Sequence, residues 1–396
     1  MELVFDIETD DLNATKVWCL VAIDENDKVY TYDEDNILEG IKFLQSADKI
    51  IGHNIIGFDI PVIKNLYDID LFRLDKVIDT LVMSRLFNPA REGGHSLEKW
   101  GYRLGLAKGQ QPDFKVYSEE MLKYCIQDVK VNKKLFTALQ REGMGFSKES
   151  VNIEHYVADI LTKQKENGFK FDLKQAMFLT SELQNKITDV ENEVHKTFKP
   201  RWVDDKLVTP KFKKDGTLSK SGLTKFEYED LLESENYSPF MRKSLQEFNL
   251  GSRKQIGEYL ISFGWKPKKF TPTKQPIVDE GTLKEITHIR EAKLIADYLL
   301  YQKRLAQVQS WIDAVKEDER VHGSVMPTGA ITGRMTHRDP NMAQVPSVSS
   351  PYGKECRSCW VVDEGNKLVG IDASGLELRL LAHYMADEEY INEIIN

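Results

Sequence analysis

Long apolar runs are missing from this sequence of 396 residues, and cysteine is scarce, with only four copies. A membrane-spanning helix needs about 20 consecutive apolar residues, and no stretch approaches that length. The N-terminus from Met1 to Asp6 lacks the basic start and the long apolar core of a signal peptide. A secreted disulfide framework would use more cysteines. The sequence therefore predicts an intracellular protein without a membrane segment.

An excess of basic residues is missing too, since the formal net charge is −9 at pH 7. This excludes a basic protein that coats nucleic acid, but it allows nucleic-acid binding through acidic metal sites and local basic stretches. The length allows two or three domains. Cys356 and Cys359 have the spacing of a redox motif; without a matching second pair, we interpret them as small buried residues.

The pattern of apolar residues changes near residue 147. Before it, short strands are predicted at 3–7, 17–23, 29–32, 49–52 and 77–78, with helices at 37–44, 60–67 and 119–141, which is typical of an α/β domain. After it, long amphipathic helices are predicted at 151–167, from 172 onward and at 289–315. An insertion at about 201–245 interrupts them, and its first 25 residues contain seven basic and three acidic side chains.

Four carboxylates and a tyrosine form the first candidate site. Asp6 and Glu8 lie two apart on a predicted strand and share one face. Asp59 follows at a strand-to-helix transition, and Tyr124 and Asp128 share a helix face. Crowded carboxylates need compensating positive charge, which two Mg²⁺ or Mn²⁺ ions would supply. The ions would also activate a water for the hydrolysis of a phosphodiester, and Tyr124 would orient that water. Each motif alone is also common on solvated surfaces, which is the alternative.

Asp79 and His95 are secondary candidates for the same domain. Asp79 directly precedes a predicted helix, so we interpret it as the cap of that helix. We interpret His95 as a structural histidine whose ring nitrogens are satisfied.

The order and spacing of these residues resemble the proofreading exonuclease domains of the four-carboxylate type. The second motif, Asn54-x-x-x-Phe58-Asp59, fits the same pattern. The tyrosine variety is indicated, since Lys123 stands where the histidine variety has its histidine. The resemblance implies a ribonuclease-H-like fold and an intact catalytic set of Asp6, Glu8, Asp59, Tyr124 and Asp128.

A second series of motifs lies near the C-terminus. Thr332-Gly333-Arg334 is followed by Pro340-Asn-x-x-Gln344-x-Pro346, by Cys356-Arg357, and by Asp372-x-Ser-x-x-Glu377-x-Arg. Gly370–Asp372 ends a predicted apolar strand with a helix behind it, an arrangement suited to holding a metal for phosphoryl transfer.

This series resembles family A DNA polymerases, the group of bacterial DNA polymerase I. Residues 95–105 and 350–353 are similar to the replicative polymerases of short-tailed phages of the T-seven type. The resemblance covers essentially the whole chain. It implies a 3′–5′ exonuclease at 1–146 and, at 147–396, a mainly α thumb followed by the start of an α+β palm. It also implies action on DNA in the cytoplasm of an infected bacterium.

The resemblance gives each polymerase residue a role. Asp372 would be one of two metal-holding aspartates, binding Mg²⁺ when the site is complete. Glu377 would position the incoming nucleotide and exclude a ribose 2′-hydroxyl. Arg334, Gln344 and Arg357 would contact the primer-template or the nucleotide.

Partners are expected beyond DNA. The fingers helix and the second palm aspartate of this family would lie beyond residue 396. We therefore expect a second polymerase chain, because a lone palm strand leaves an unpaired edge; a truncated sequence is the other explanation. A free-standing exonuclease and a DNA-holding scaffold subunit are the competing functions.

In T-seven-type polymerases an insertion at the place of 201–245 recruits host thioredoxin; a solvated loop touching the DNA backbone is the alternative.

Overall fold

The computed structural model of the chain describes residues 1–107 and 109–395. The first strands and helices are β1 (Glu2–Thr9), β2 (Val17–Asp24), β3 (Val29–Asp33), α1 (Ile37–Ser46), β4 (Lys49–Gly52), α2 (Asp59–Tyr67), β5 (Val77–Asp79), α3 (Thr80–Phe87), α4 (Leu97–Arg103) and α5 (Glu119–Glu142). They confirm the predicted α/β class and nearly all of the predicted element positions.

The five strands form one sheet in the order β3-β2-β1-β4-β5. β1 pairs antiparallel with β2 and parallel with β4, so it lies at the centre of the sheet. Both of its faces are covered, because one apolar cluster packs on the side of α1 and α2 and another on the side of α5. The central strand is therefore buried almost throughout, and polar groups on it are held in a fixed position.

The chain continues with α6 (Lys148–Asn167), β6 (Phe169–Lys170), α7 (Leu173–Thr197), β7 (Arg201–Val208), α8 (Lys225–Ser234), β8 (Phe240–Gln246), α9 (Arg253–Ser262), α10 (Glu280–Lys284) and α11 (Arg290–Ile312). It ends with β9 (Arg320–Val321), β10 (Ser324–Met326), β11 (Thr336–Arg338), α12 (Gly353–Ser358), α13 (Leu376–Met385) and α14 (Glu388–Ile395). Within the described residues, no helix combines the length and the apolar character that crossing a bilayer requires.

Two compact units divide the chain. One contains Met1–Asp172, Ala314–Ser347 and Arg357–Asn396, and the other contains Leu173–Asp313 and Val348–Cys356. Helix α6 thus belongs with the α/β part, so the compact unit does not end at residue 146; the functional boundary there stays a prediction. In the second unit, α7 packs along α11. The apolar residues whose spacing predicted α7 are all buried: Ala176, Leu179, Leu183, Ile187, Val190 and Val194.

The insertion folds into an antiparallel ribbon of β7 and β8 with α8 between them. Glu227 completes a capping box with Thr224 at the start of α8. The carboxylate of Glu227 also accepts two hydrogen bonds from Arg242 of β8, at 2.6 and 2.5 Å, which lower its pKa to about 2. Residues 201–246 contain nine basic and eight acidic residues. The basic stretch is therefore part of a folded unit that is close to neutral.

The strand predicted to end at Asp372 is not formed. Residues 366–374 have no strand partner among the described residues, and Ile371 is 95% exposed. A strand depends on backbone hydrogen bonds to a neighbour, so this segment stays irregular despite its apolar side chains. The helix expected behind it does form, as α13.

Candidate active site

The central strand β1 carries the first two carboxylates. Glu8 is 8% exposed and Asp6 is half-buried, and both point to one face because side chains alternate along a strand. Asp6 and Glu8 each offer an oxygen that lies within 4.8 Å of the other and of the Cys125 sulfur. The structure thus brings these two predicted residues together at a site with three possible metal ligands.

Asp59, the first residue of α2, joins this pair from the neighbouring strand-to-helix loop. Its carboxylate accepts a hydrogen bond from the backbone N–H of Ile7, at 3.3 Å, and it is hydrogen-bonded to the Asp6 carboxyl. Burial raises the pKa of Asp59 to about 7, although hydrogen bonds from the backbone and from Asp6 oppose that shift. Burial therefore favours the protonated form of Asp59.

Asp79 fixes the loop that leads into Asp59. Its carboxylate accepts from the backbone N–H groups of Asn54 and Ile56, at 2.9 and 3.1 Å. The same carboxylate accepts from Leu81, at 2.8 Å, and so caps α3, which confirms the interpretation of Asp79 as a helix cap. Asn54 adopts a left-handed backbone conformation, with φ 68°, which asparagine tolerates well. Asp79 therefore positions Asp59 indirectly.

We expect Asp79→Ala to lower the free energy of unfolding by about 3 kcal/mol or more. Four backbone N–H groups would lose their acceptor, and each unsatisfied buried donor costs about 1–3 kcal/mol. Urea denaturation measures the difference. The matched control is Asp75→Ala, since Asp75 is exposed in a surface ion pair. A loss no larger than that of the control would refute the positioning role.

Helix α5 brings the last two predicted residues to β1. It packs against β1 and β2, and the thiol of Cys125 lies 3.6 Å from the backbone carbonyl of Asp6, to which it donates. Tyr124 and Asp128, on either side of Cys125, are 7% and 3% exposed. The Tyr124 ring packs edge-on against Phe114, with centroids 6.1 Å apart. All five predicted residues thus lie on elements that meet at β1.

Cys125 was missed by sequence reasoning. Burial, followed by contact with Cys19, raises the pKa of this thiol well above its usual value, so it stays protonated. A neutral thiol is a poor ligand, because the thiolate is the metal-binding form. The only sequence signal is its position next to Tyr124. The donor set that remains consists of carboxylate oxygens, which fits Mg²⁺ or Mn²⁺.

His95 is structural, as predicted. Its Nδ1 lies 2.9 Å from the hydroxyl of Ser84, which in turn accepts from the indole of Trp100. Burial lowers the pKa of His95, so the ring is neutral near pH 7. The interpretation of Cys356 and Cys359 as small buried residues is confirmed too, since both are buried and neither forms a disulfide.

The second series of motifs is partly assembled. Arg334 and Glu377 form an exposed ion pair at 3.1 Å. Gly333, with φ 77°, makes the tight turn before Arg334 that only glycine adopts readily. Arg357 donates to the backbone carbonyl of Pro346 at 2.8 Å, which ties together the ends of this loop-rich stretch. Gln344 ends a short 3₁₀ turn, and Asp372 lies on the exposed segment before α13.

Two family models match the chain. Residues 2–143 match a model described as 3′-5′ exonuclease, and residues 227–396 match one described as DNA polymerase family A. The two matches cover the two candidate sites.

Curated relatives match over the full chain. The DNA-directed DNA polymerases of Enterobacteria phage T3 and Escherichia phage T7 are 33% and 32% identical to it, and the alignment covers 71% of each. Among solved structures, the POL domain of Pol1 from M. smegmatis, in complex with DNA primer-template and dNTP, superimposes with a TM-score of 0.69. That match has 16% identity and covers 98% of this chain and 60% of the other, so it shows a shared fold.

Proposed function

Since the chain belongs to DNA polymerase family A, as a relative of phage DNA-directed DNA polymerases with a 3′-5′ exonuclease domain, we propose that residues 1–146 remove nucleotides from DNA 3′ ends by two-metal hydrolysis. The observation that carries the proposal is the convergence of Asp6, Glu8 and Asp59 on one buried site. Buried carboxylates in such contact would repel one another once ionised, which makes the site suited to divalent cations.

Each residue has a distinct task in this proposal. Asp6, Glu8, Asp59 and Asp128 hold the cations through carboxylate oxygens. Bound Mg²⁺ or Mn²⁺ would neutralise the carboxylates, activate a water and stabilise the leaving oxygen of an in-line displacement. A bound cation would favour the ionised form of the Asp59 carboxyl. The Tyr124 hydroxyl orients the attacking water, and its packing against Phe114 holds the ring for that purpose.

The direct experiment follows a single-stranded oligonucleotide labelled at its 5′ end. With Mg²⁺ or Mn²⁺ the purified protein is expected to shorten the labelled strand stepwise from the 3′ end, and with EDTA it is expected to leave the strand intact. Shortening that persists in EDTA, or internal cleavage, would contradict the proposal.

We expect Tyr124→Phe to slow hydrolysis modestly, by about 10- to 100-fold, because orienting one water contributes less than holding the cations. Affinity for Mn²⁺, measured by calorimetry, is expected to stay nearly unchanged, since the hydroxyl is not a ligand. Asp128→Ala is the comparison variant, and it should weaken both activity and Mn²⁺ binding. Equal losses of Mn²⁺ affinity in the two variants would mean that Tyr124 has been given the wrong role.

The polymerase residues receive the roles that the family gives them. Asp372 would hold Mg²⁺ in the polymerase site, and Glu377 would position the incoming nucleotide. Arg334, Gln344 and Arg357 would contact the primer-template or the nucleotide. The ion pair of Arg334 with Glu377 supports this assignment, since it places two of these groups side by side.

A second polymerase chain is proposed to pack against this protein and to cover the apolar side chains at 368–385. Val369 and Ile371 are exposed there, and a large exposed apolar patch marks an interaction surface. The exposure of these two side chains supports the proposal. A candidate second chain would have to co-purify with this protein and restore primer extension.

Host thioredoxin is the proposed partner of the β7–β8 ribbon, in the cytoplasm of an infected bacterium. Two cross-strand pairs, Trp202 with Leu245 and Leu207 with Met241, expose apolar side chains along the ribbon. The near-neutral charge of the insertion favours a protein partner over the DNA backbone. Calorimetry with bacterial thioredoxin tests this, and no heat of binding would reject it.

A further inference from the structure

A cavity of about 390 Å³ lies within the first compact unit, beside the loop that leads into Asp59. Its walls come from the loop at 54–57, from α3, from α6 and from the β10–β11 strand pair. A volume in this range is typical of small-ligand sites. Its occupant would touch the same loop that Asp79 holds in place.

Arg85 of α3 lines this cavity, and one nitrogen of its guanidinium lacks a hydrogen-bond acceptor among the described residues. Its Nε is buried and has no hydrogen-bond partner among the described residues. Burial lowers the pKa of Arg85, the charge of Asp79 raises it, and the charge of Arg338 lowers it again. Arg338 lines the same cavity, and an anion bound there would stabilise both cations.

The remaining residues of the cavity wall include further groups that could bind an anion. Lys165 and Lys316 add two more cations, and the hydroxyls of Ser324 and Thr328 can donate hydrogen bonds. Arg338 is 63% exposed and its Nε is 3.5 Å from the exposed carboxylate of Asp339, a weak pair that leaves its other nitrogens available.

Three acidic residues also line the cavity, so its charged lining consists of four cations and three carboxyl groups. The Asp79 oxygens already accept backbone N–H groups. Burial raises the pKa of Glu154 above its usual value. Glu166 is exposed to solvent, as are Lys165 and Lys316, so the buried Arg85 Nε is the least satisfied group of the lining.

We propose that this cavity binds the phosphate group of a nucleotide, with the Arg85 guanidinium as its main contact and Arg338 as its second. A guanidinium fork suits phosphate oxygens, and the cavity leaves room for a sugar and a base beside it. The phosphate can come from a free 5′-mononucleotide or from the backbone of a single strand. The inference extends the proposed exonuclease function, because the occupant would contact the loop that positions Asp59.

The test measures binding of three probes in EDTA, where hydrolysis is blocked: inorganic phosphate, thymidine 5′-monophosphate and a short oligothymidylate. Arg85→Gln is expected to weaken binding of at least one nucleotide probe roughly tenfold or more, since a hydrogen bond to a charged group contributes about 1.5–3 kcal/mol. Arg73→Gln is the matched control, because Arg73 is an exposed arginine of the same unit, paired with Asp75. It is expected to bind like the wild type.

The probes separate the two sources. Tighter Arg85-dependent binding of the monophosphate indicates a free nucleotide, and tighter binding of the oligonucleotide indicates the strand backbone. Equal affinities of Arg85→Gln and wild type for all three probes would overturn the inference. If Arg85→Gln does not fold, the exposed Arg338→Gln decides by the same criterion. The exonuclease proposal is tested separately, by the Mg²⁺-dependent degradation of a single strand by the wild type. That result stands even if the cavity is found not to bind phosphate.

Discussion

Replacing Asp6 and Glu8 together with alanine is expected to lower the rate of 3′-end degradation about a thousandfold or more. The two carboxylates form the core of the proposed metal site, and a metal contributes several kcal/mol of transition-state stabilisation, at about 1.4 kcal/mol for each factor of ten. The fold is expected to persist, because removing two crowded acidic groups relieves repulsion in a buried site. Initial rates on a single-stranded oligonucleotide with Mg²⁺ give the comparison.

The matched control for this variant is the pair Glu119→Ala and Glu120→Ala, two exposed carboxylates at the start of α5. It removes the same charge from the same domain without touching the site. A double variant of Asp6 and Glu8 that folds normally and keeps more than about a tenth of the wild-type rate would remove the basis of the two-metal account.

Asp372→Asn is expected to abolish nucleotide addition, by about a thousandfold or more, while leaving 3′-end degradation unchanged. The substitution keeps the shape of the side chain but removes the charge that a phosphoryl-transfer metal needs. Asp372 lies on the exposed segment before α13 and the exonuclease residues lie on β1, α2 and α5, so the two activities use separate groups. The assay is primer extension by the polymerase assembled with its proposed second chain.

Glu389→Gln, which removes an exposed charge from the neighbouring helix α14, serves as the control and should extend primers normally. An Asp372→Asn polymerase that extends primers at the wild-type rate would show that Asp372 does not hold a catalytic metal. A parallel loss of 3′-end degradation would show that the two sites are not independent.

The sequence predicted the strands of the α/β part and the long helix α7 well, because their apolar residues follow simple periodicities. The strand at 49–52 and the buried stripe of α7 are found where the apolar pattern indicated. The cap at Asp79 was found from its place before a helix. The pattern of nearby residues indicates each of these features, although β4 pairs with the distant strands β1 and β5.

Features that only a distant partner determines were not predicted. The β7–β8 ribbon exposes Trp202 and Leu207, so its apolar residues do not mark a core. The segment before Asp372 has a strand-like sequence, but no described strand pairs with it. Cys125 joined the site through the packing of α5 on β1, which spacing alone does not reveal. The Arg85 cavity needs α3, α6 and β10 together.

Crystals of the protein soaked with Mn²⁺ and a short single-stranded oligonucleotide would show whether residues 1–146 hold two cations at a strand end. Anomalous diffraction locates Mn²⁺ without assumptions about the ligands. We expect two peaks about 3.5–4 Å apart, contacting Asp6, Glu8, Asp59 and Asp128, with the last phosphate of the strand beside them. Peaks elsewhere, or a strand end bound at these carboxylates without any cation, would contradict the two-metal proposal.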